Sequence, residues 1–349
     1  MNPIKINSFE ISENSDCYII AELSANHCQK LEIALDSVKS IKRTGANAIK
    51  LQTFRPESLT LNVDSDDFNA NPNSPWKGRR LYDLYKETRL PYEWYDEIFE
   101  LAQSLDLDCF SSPFDFEAVE ILEAYNPPAY KIASFEITDI PLIECVAKLQ
   151  KPVIISTGVA MEEDIQLAVD TCHNVGNENV ILLKCTSQYP TPLHEVHLGQ
   201  VPFLRERFNK FIGLSDHTLG WMVPFMSFGF GVKVVEKHFK LDDSIQSADS
   251  SFSLSETEFT EMVEKVRQAE TIIGSSEFGN DERAQLRRQR RRSLYIADDV
   301  KRGDVLSALN VKSVRPGHGL HPKFYYDILG KVFTEDFKKG TPLDKSNFE

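Results

Sequence analysis

The chain has 349 residues, of which 41% are hydrophobic and 26% charged, with 16 glycines and 17 prolines. These values are typical of globular proteins and exclude collagen-like, coiled-coil and wholly disordered chains. The formal net charge of −14 disfavours binding to nucleic acid or to an anionic membrane, because both depend on a basic surface. The net charge does not exclude a small anionic substrate, because distant charges are screened and a local group of lysines then determines the electrostatic potential at a binding site.

The amino-terminal segment and the cysteines indicate the compartment. Glu10, Glu13 and Asp16 precede any apolar stretch, which is unlike a signal peptide. The most apolar stretch, residues 221–232, is too short and too interrupted to span a membrane. The six cysteines form no CxxC pair, which predicts free thiols. We therefore expect a soluble cytoplasmic protein.

Eight short apolar runs rich in β-branched residues recur along the chain. Most are continuously apolar rather than alternating, which is typical of parallel strands buried on both faces. Amphipathic stretches lie between several of them, and the last begins at a capping box, Ser255 with Glu258, and ends at Gly274. The predicted strands are residues 18–23, 48–53, 108–111, 129–133, 152–156, 180–185, 211–215 and 234–237.

This alternation over about 270 residues predicts a (β/α)8 TIM barrel, an α/β fold whose closed sheet has no edge. A doubly wound sheet is the alternative, but no GxGxxG follows the first predicted strand, where residues 21–27 read AELSANH. The turn-rich, aromatic segment 71–79 lies between the second and third strands. It is either an inserted active-site loop or a tolerated excursion.

The composition changes after Gly274. We predict a catalytic barrel domain over residues 1–274, a linker over 275–292 and a small domain over 293–349. The linker contains six arginines between positions 283 and 292, a pattern that also occurs in nucleic-acid-binding segments. In an acidic protein we favour a solvated or interface-facing linker, paired with the acidic remainder of the chain.

Polar residues cluster where the predicted strands end, which is where a barrel of this kind gathers its reactive groups. Several lysines there predict a site for phosphate or carboxylate, because lysine is seldom buried without a function or a partner. His217 and His238 end consecutive strands and could bind a divalent metal, with Glu22 as carboxylate or general base. In chain order these strand ends carry Glu22, Asn26, His27, Lys50, Gln52, Ser111, Ser112, Lys131, Ser134, Ser156, Thr157, residues 184–187, residues 215–217 and residues 236–238.

Strings along nearly the whole chain resemble the sialic acid synthase family. The strings are AELSANH at 21–27, KLQTF at 50–54, FSSPFD at 110–115, YKIASFEITD at 130–139, ISTG at 155–158, LLKCTSQYP at 182–190, GLSDHTLG at 213–220 and EKHF at 236–239. VRPGHGLHP at 314–322 resembles the family's antifreeze-like (SAF, β-clip) domain. WKGRRLYDLYKE at 76–87, FSSPFD and ASFEITDIPLI at 133–143 are most similar to the pseudaminic acid branch rather than to the N-acetylneuraminate branch.

The resemblance implies an enzyme that condenses phosphoenolpyruvate with an open-chain N-acylated amino sugar, giving a nine-carbon 2-keto acid and phosphate. For the pseudaminic branch the sugar is 2,4-diacetamido-2,4,6-trideoxy-altrose. The resemblance also implies a divalent cation, Mn²⁺ or Mg²⁺, on His217 and His238, in agreement with the pair found from the strand ends. Glu22 matches the family's catalytic glutamate, with a role in proton transfer.

The resemblance assigns substrate-binding roles to further residues. Gln52, Tyr189 and Asp249 are expected on the sugar side. Arg315 matches an arginine that one subunit inserts into the barrel of another, which implies a domain-swapped homodimer. The phosphate and carboxylate of phosphoenolpyruvate are expected on Lys50, Ser112, Lys131, Ser134, Ser156, Ser187 and Ser215.

The chain differs from the neuraminate synthases at three positions, and these differences leave more than one sugar substrate compatible with the sequence. Ser112, Ser187 and Lys184 stand where those enzymes carry threonine, asparagine and histidine, which favours the pseudaminic branch. An N-acetylneuraminate or legionaminic acid synthase is the alternative within the family. An aldolase with a Schiff base on Lys131 or Lys184 is a further alternative. A non-catalytic sugar-binding protein is disfavoured by the density of charged groups at the strand ends.

Overall fold

The computed structural model describes residues 1–72, 74–274 and 282–349. The chain divides into two compact units, Met1–Gly274 and Ser275–Glu349. The first unit contains a closed barrel of eight parallel strands. No helix in the described part of the chain combines the length and the apolar character that a membrane span requires. All six cysteines are free, as predicted.

The eight barrel strands confirm the eight predicted runs, and each boundary lies within two residues of its predicted position. A short antiparallel hairpin, β1 (Ile4–Ile6) with β2 (Phe9–Ile11), precedes them. The last barrel strand pairs in parallel with the first, which closes the sheet and rules out the doubly wound alternative. The barrel strands are β3 (Tyr18–Glu22), β4 (Ala48–Thr53), β5 (Asp108–Pro113), β6 (Tyr130–Ile132), β7 (Val153–Ser156), β8 (Val180–Cys185), β9 (Phe211–Asp216) and β10 (Val234–His238).

Helices connect the strands. The last helix of the first unit begins at the predicted capping box, where the Ser255 amide donates to Glu258 Oε2 at 2.9 Å. The α-helices of this unit are α1 (Leu31–Thr44), α2 (Pro56–Leu59), α3 (Leu81–Thr88), α4 (Tyr95–Ser104), α5 (Phe116–Glu123), α6 (Ile140–Ala147), α7 (Glu162–Asn174), α8 (Gln200–Phe208), α9 (Met222–Phe228) and α10 (Glu256–Ile273).

The alternation of side chains along each strand divides the core into two layers. Val180 and Leu182 belong to the layer between strands and helices, whereas Ile181 and Leu183 belong to the layer inside the barrel. Ile6 and other isoleucines of the β1–β2 hairpin join the inner layer. The inner layer therefore fills the amino-terminal part of the barrel with apolar side chains, and polar side chains are confined to the carboxyl ends of the strands.

The second unit has its own small core. It contains α11 (Glu282–Arg288), β11 (Ser293–Ile296), β12 (Val311–Val314) and α12 (Tyr325–Ile328), and β11 pairs antiparallel with β12. Its buried residues are Leu294, Ile296, Val300, Leu306, Val311, Ile328, Phe333 and Leu343. Residues 275–281 of the predicted linker lie outside the described residues, and the next seven residues form α11.

Gly213 permits the close approach of β9 to its neighbours. A Cβ atom at this position would overlap Leu183 Cδ2 and would lie 2.6 Å from Val234 O. Since the carbonyl oxygen belongs to the backbone of β10, a side chain at position 213 forces a strand to move. The barrel therefore requires glycine at this point of its inner layer.

We expect Gly213→Ala to lower the free energy of unfolding by about 1–3 kcal/mol, because the added methyl group overpacks the barrel interior. Urea denaturation followed by circular dichroism measures the change. Gly199→Ala is the matched control, since Gly199 has a φ of −58° and no heavy atom within 4 Å of an added Cβ. The control should change stability by no more than about 0.5 kcal/mol. Equal losses in both variants would contradict the packing argument.

Candidate active site

Inward-facing polar side chains line the barrel above its apolar layer. They follow from the two-residue period of the strands, which places Glu22 on the same face as Ile20, and Lys50 on the same face as Ala48. The same period brings Glu236 and His238 to the face of Val234. All four of these polar residues are buried. The carboxyl ends of the strands therefore enclose a polar cavity floor, as predicted.

Lys50 lies between two carboxylates. Its Nζ is 2.5 Å from Glu22 Oε2 and 3.5 Å from Glu236 Oε1, and it also donates to Ser112 Oγ at 3.4 Å. Burial raises the pKa of the Glu22 carboxyl to about 7, although the Lys50 ammonium opposes this shift. Burial also opposes the charge on Lys50, but the two carboxylates outweigh it and raise the pKa of the ammonium. A carboxyl group that titrates near neutral pH can both accept and donate a proton.

His217 and His238 lie side by side, with ring centroids 5.3 Å apart. Thr186 O lies 3.0 Å from His217 Nδ1, which places a hydrogen on this atom and leaves Nε2 available. Burial lowers the pKa of His238 well below its usual value, and its Nδ1 is buried without a hydrogen-bond partner. The lowered pKa keeps the His238 imidazole neutral, and a neutral imidazole with an unpartnered nitrogen is suited to ligate a metal.

The histidine pair therefore fits a divalent cation with open coordination positions. Within the described ranges, no group of three or more His, Cys, Asp or Glu side chains is placed to hold a metal ion. Catalytic metal sites keep positions for water and substrate beside their protein ligands. His217 and His238 would supply the protein ligands, and substrate or water oxygens would supply the others.

A group of cations and hydroxyls lies on the other side of the barrel mouth. Burial lowers the pKa of Lys131 to about 8. Ser134 Oγ accepts from the Gly158 amide at 3.1 Å and lies 3.4 Å from Cys185 Sγ. Ser156 Oγ is buried without a hydrogen-bond partner. An unsatisfied hydroxyl in a group that includes the Lys131 ammonium indicates an oxyanion ligand, because buried polar groups otherwise find partners.

Gly158 belongs to this group through its backbone. A Cβ at position 158 would overlap Ser187 Oγ and would lie 2.8 Å from Ser134 Oγ. The absence of a side chain therefore lets the hydroxyls of Ser134 and Ser187 lie against the same residue. We call Lys131, Ser134, Ser156, Gly158 and Ser187 the oxyanion cradle.

The third part of the mouth is amphipathic. Gln52 Nε2 donates to Glu22 Oε1 at 2.9 Å and to Ser24 Oγ at 3.1 Å, and Ser24 donates to Asp249. The Tyr189 ring lies 4.3 Å from the His217 ring. Amide, carboxylate and hydroxyl groups beside aromatic rings suit a sugar, which presents both hydroxyls and apolar C–H groups.

Segment 71–79 contributes to this amphipathic part. Trp76 Nε1 donates to Ala248 O at 3.0 Å, and the Trp76 ring lies 5.7 Å from the Tyr189 ring. This contact favours the interpretation of the segment as an active-site loop. Asn73 lies outside the described residues.

The predicted site residues of the first unit thus follow its strand ends, whereas one predicted residue lies elsewhere. Arg315 belongs to the second unit, is exposed and follows β12. Lys184 lies on the outer face of β8 with Val180 and Leu182, so it cannot form a Schiff base inside the barrel. The residues at the barrel mouth are Glu22, Lys50, Gln52, Ser112, Lys131, Ser134, Ser156, Ser187, Tyr189, Ser215, His217, His238 and Asp249.

Three residues have a larger part in the site than the sequence indicated. Glu236 accepts from Ser215 Oγ at 3.2 Å and shares Lys50; the two-residue period from Val234 could have shown its inward position. Cys185 Sγ lies 4.0 Å from His217 Nδ1, and the two-residue period of β8 could have predicted that Cys185 faces inward. Glu136 follows β6 in a short 3-10 helix, and burial raises the pKa of its carboxyl to about 7. No periodic signal places a residue in such a turn.

Comparison with known proteins identifies the class. Residues 37–278 match the NeuB family and residues 291–349 match the SAF domain. The chain belongs to the NeuB family, which confirms the predicted resemblance and the predicted order of barrel and SAF domain.

Two pseudaminic acid synthases are among the proteins to which this chain is similar. The pseudaminic acid synthase of Campylobacter jejuni is 48% identical over 95% of this chain and 96% of its own length. That of Helicobacter pylori is 43% identical over 95% of this chain and 97% of its own length. The crystal structure of N-acetylneuraminic acid (sialic acid) synthetase from Leptospira borgpetersenii, in complex with citrate, superimposes with a TM-score of 0.73 at 26% identity, covering 82% of this chain and 95% of that one.

We expect Lys50→Met to lower the free energy of unfolding by about 3 kcal/mol at pH 8, because Glu22 then stays buried without an ion-pair partner and Glu236 loses one of its neighbouring cations. The raised pKa of Glu22 gives the sign of the pH dependence. A carboxyl whose pKa is raised on folding contributes stability at low pH, and this contribution is lost as pH rises through about 7. Since Glu22 is protonated and neutral at pH 5, the destabilisation caused by Lys50→Met should be smaller at pH 5 than at pH 8.

Urea denaturation of native and variant protein at pH 5 and pH 8 measures this difference. Lys5→Met is the control, because Lys5 is an exposed residue of β1 and its replacement should cost no more than about 0.5 kcal/mol. A Lys50→Met variant as stable as the control at pH 8 would show that the ammonium does not stabilise the two carboxylates.

Proposed function

We propose that this chain condenses phosphoenolpyruvate with 2,4-diacetamido-2,4,6-trideoxy-β-L-altropyranose and water to give pseudaminic acid and phosphate. The observation that carries the proposal is the 48% identity to the pseudaminic acid synthase of C. jejuni over 95% of the chain. The barrel mouth supports it, because it contains an oxyanion cradle, two adjacent histidines and an amphipathic wall. These are the groups that an anionic enol and an acylated sugar require.

The cradle would hold phosphoenolpyruvate by its two anionic groups. Lys50 and Lys131 supply positive charge, and the hydroxyls of Ser134, Ser156 and Ser187 supply donors at the cradle. Ser112 Oγ accepts from Lys50 Nζ, and Ser215 Oγ donates to Glu236 Oε1, which places two further hydroxyls at the barrel mouth. This arrangement fixes the enol carbon relative to the sugar, which accounts for much of the rate by proximity.

The histidines and Glu22 would act on the sugar aldehyde. Mn²⁺ or Mg²⁺, when bound to His217 and His238, would supply Lewis-acid polarisation of the aldehyde oxygen. The enol carbon then forms a bond to C1, and the C1 oxygen takes up a proton. Water adds to C2 of the phosphoenolpyruvate part and loses one proton. The C2–O bond to phosphate then breaks, and the remaining hydroxyl proton on C2 passes to the departing phosphate as the ketone forms. Glu22 is placed to donate and accept these protons, because its carboxyl titrates near pH 7.

We also propose that the site is completed by a second copy of the chain in a homodimer, with Arg315 of one copy at the barrel mouth of the other. Residues 1–274 carry 24 basic and 42 acidic side chains, whereas residues 282–349 carry 15 basic and 9 acidic side chains. The opposite net charges of the two segments support this arrangement, because they attract each other. Exposed apolar side chains after successive strands also indicate a covered surface. They are Phe116, Phe135, Met161, Leu193 and Leu219, each at least 53% exposed.

Release of inorganic phosphate from phosphoenolpyruvate tests the reaction. With Mn²⁺, we expect kcat/KM for the diacetamido-trideoxy-altrose sugar to exceed that for N-acetylmannosamine, and for the mannose-configured counterpart of the altrose sugar, by about tenfold or more. EDTA should abolish release with every sugar. Preference for another sugar would place the chain in another branch of the family, and no release with any sugar would favour a sugar-binding protein.

Glu22→Gln serves as the catalytic control for this assay. The variant should lose phosphate release by about a hundredfold or more, because the amide cannot transfer the proton. Glu120→Gln, which changes an exposed glutamate of α5, should release phosphate at the native rate. Native activity in Glu22→Gln would remove Glu22 from the mechanism.

Arg315→Ala tests the contribution of the second copy. We expect KM for the sugar to rise by about tenfold or more, because a charge-assisted hydrogen bond is lost, while light scattering still shows a dimer. Arg302→Ala, which removes another exposed arginine of the second unit, should leave KM unchanged. A monomeric protein with full activity would refute the shared site.

A further inference from the structure

Lys184 is a buried lysine outside the catalytic cavity. It lies on the outer face of β8, and only 6% of it is exposed. Its Nζ donates to Cys185 O at 2.7 Å and to Thr186 Oγ1 at 3.1 Å. An ammonium has three hydrogens, so these two bonds leave one without an acceptor. Across the described residues, no carboxylate lies within ion-pair distance of this ammonium.

The missing counter-charge has an energetic cost. A buried charge is costly unless it is paired, and Lys184 has only a carbonyl and a hydroxyl as partners. Burial accordingly lowers the pKa of this lysine. By contrast, Lys237, another buried lysine of the outer layer, pairs with Asp216 at 2.5 Å. An anionic ligand beside Lys184 would therefore supply the missing counter-charge.

A cavity of about 530 Å³ lies beside Lys184, between α7 and α8. Thr157, His197 and Gln200 give its wall polar groups, and Phe203 and Leu204 give it an apolar side. Two carboxylates also line it, but each has a partner. Glu162 Oε1 accepts from Arg207 Nε at 2.5 Å, and Glu195 Oε1 lies 3.7 Å from His194 Nε2. A cavity of this volume is large enough for a small organic molecule.

This cavity adjoins the catalytic one, because Gly158 of the oxyanion cradle and Cys185 also line it. Lys184 and Cys185 are neighbours in β8, so their side chains point to opposite faces of the barrel wall. Cys185 Sγ points inward, 3.4 Å from Ser134 Oγ in the oxyanion cradle. The backbone of Gly158 and the strand β8 therefore stand between the cradle and the cavity.

We propose that the cavity between α7 and α8 is a second oxyanion site, where the Lys184 ammonium binds the carboxylate or phosphate group of a small organic molecule. The third ammonium hydrogen faces the oxyanion, and Phe203 and Leu204 pack against the apolar part of the ligand. The site does not depend on the proposed reaction.

Equilibrium dialysis of the full chain tests the proposal with two radiolabelled probes, inorganic phosphate and benzoate, at constant ionic strength. The native protein should bind one more equivalent of at least one probe than Lys184→Met does. Lys233→Met is the matched control, because Lys233 is also buried and donates only to Ser15 O at 2.9 Å, but does not line the cavity between α7 and α8. The control should bind as many equivalents as the native protein. Binding of phosphate alone, of benzoate alone or of both distinguishes the group that the site accepts.

A second variant keeps the test independent of the folding of Lys184→Met. Phe203 is 51% exposed, so Phe203→Glu should fold while placing a carboxylate at the cavity. Phe203→Glu should raise the Kd of the bound probe by about tenfold relative to Phe203→Gln, because like charges repel. Equal numbers of bound probes in native protein and a folded Lys184→Met, or equal Kd values in the two Phe203 variants, would overturn the proposal.

Discussion

The ammonium of Lys50, held between Glu22 and Glu236, is the interaction on which the barrel mouth depends. Two carboxylates cannot stay charged in the same buried space without a cation between them, and Lys50 lies 2.5 Å from one and 3.5 Å from the other. The same cation limits how far burial can raise the pKa of Glu22. It thereby holds a proton-transferring carboxyl near neutrality beside an oxyanion cradle that needs positive charge.

Closure of the barrel brings these groups together. Glu22 pairs with Lys50 across β3 and β4 and with His238 across β3 and β10, although β10 is the last barrel strand in the chain. On the outer face, Lys237 Nζ donates to Asp216 Oδ2 and to Thr218 O, both at 2.5 Å. This ion pair joins β9 to β10 directly behind His217 and His238. The histidine pair is therefore supported from both faces of the sheet.

The two faces of β8 show how one strand serves two cavities. Cys185 contributes to the wall of the catalytic cavity, and Lys184 lines the cavity between α7 and α8. In the sequence both residues simply follow an apolar run. Which cavity each one lines depends on the two-residue period, and a shift of one residue would exchange them. The proposed second oxyanion site and the catalytic site therefore lie on the two sides of one strand.

The amino-acid sequence by itself determined the eight strands, their order and the positions at which polar residues follow them. It could do so because a strand buried on both faces must be continuously apolar, and because a barrel gathers its reactive groups at the carboxyl ends. Only the tertiary structure decided that Lys50 is shared by Glu22 and Glu236, that the Glu136 carboxyl is buried and that Lys184 faces away from the barrel interior. These features depend on distances across strands far apart in the chain and on burial, and both arise only when the sheet closes and its side chains pack.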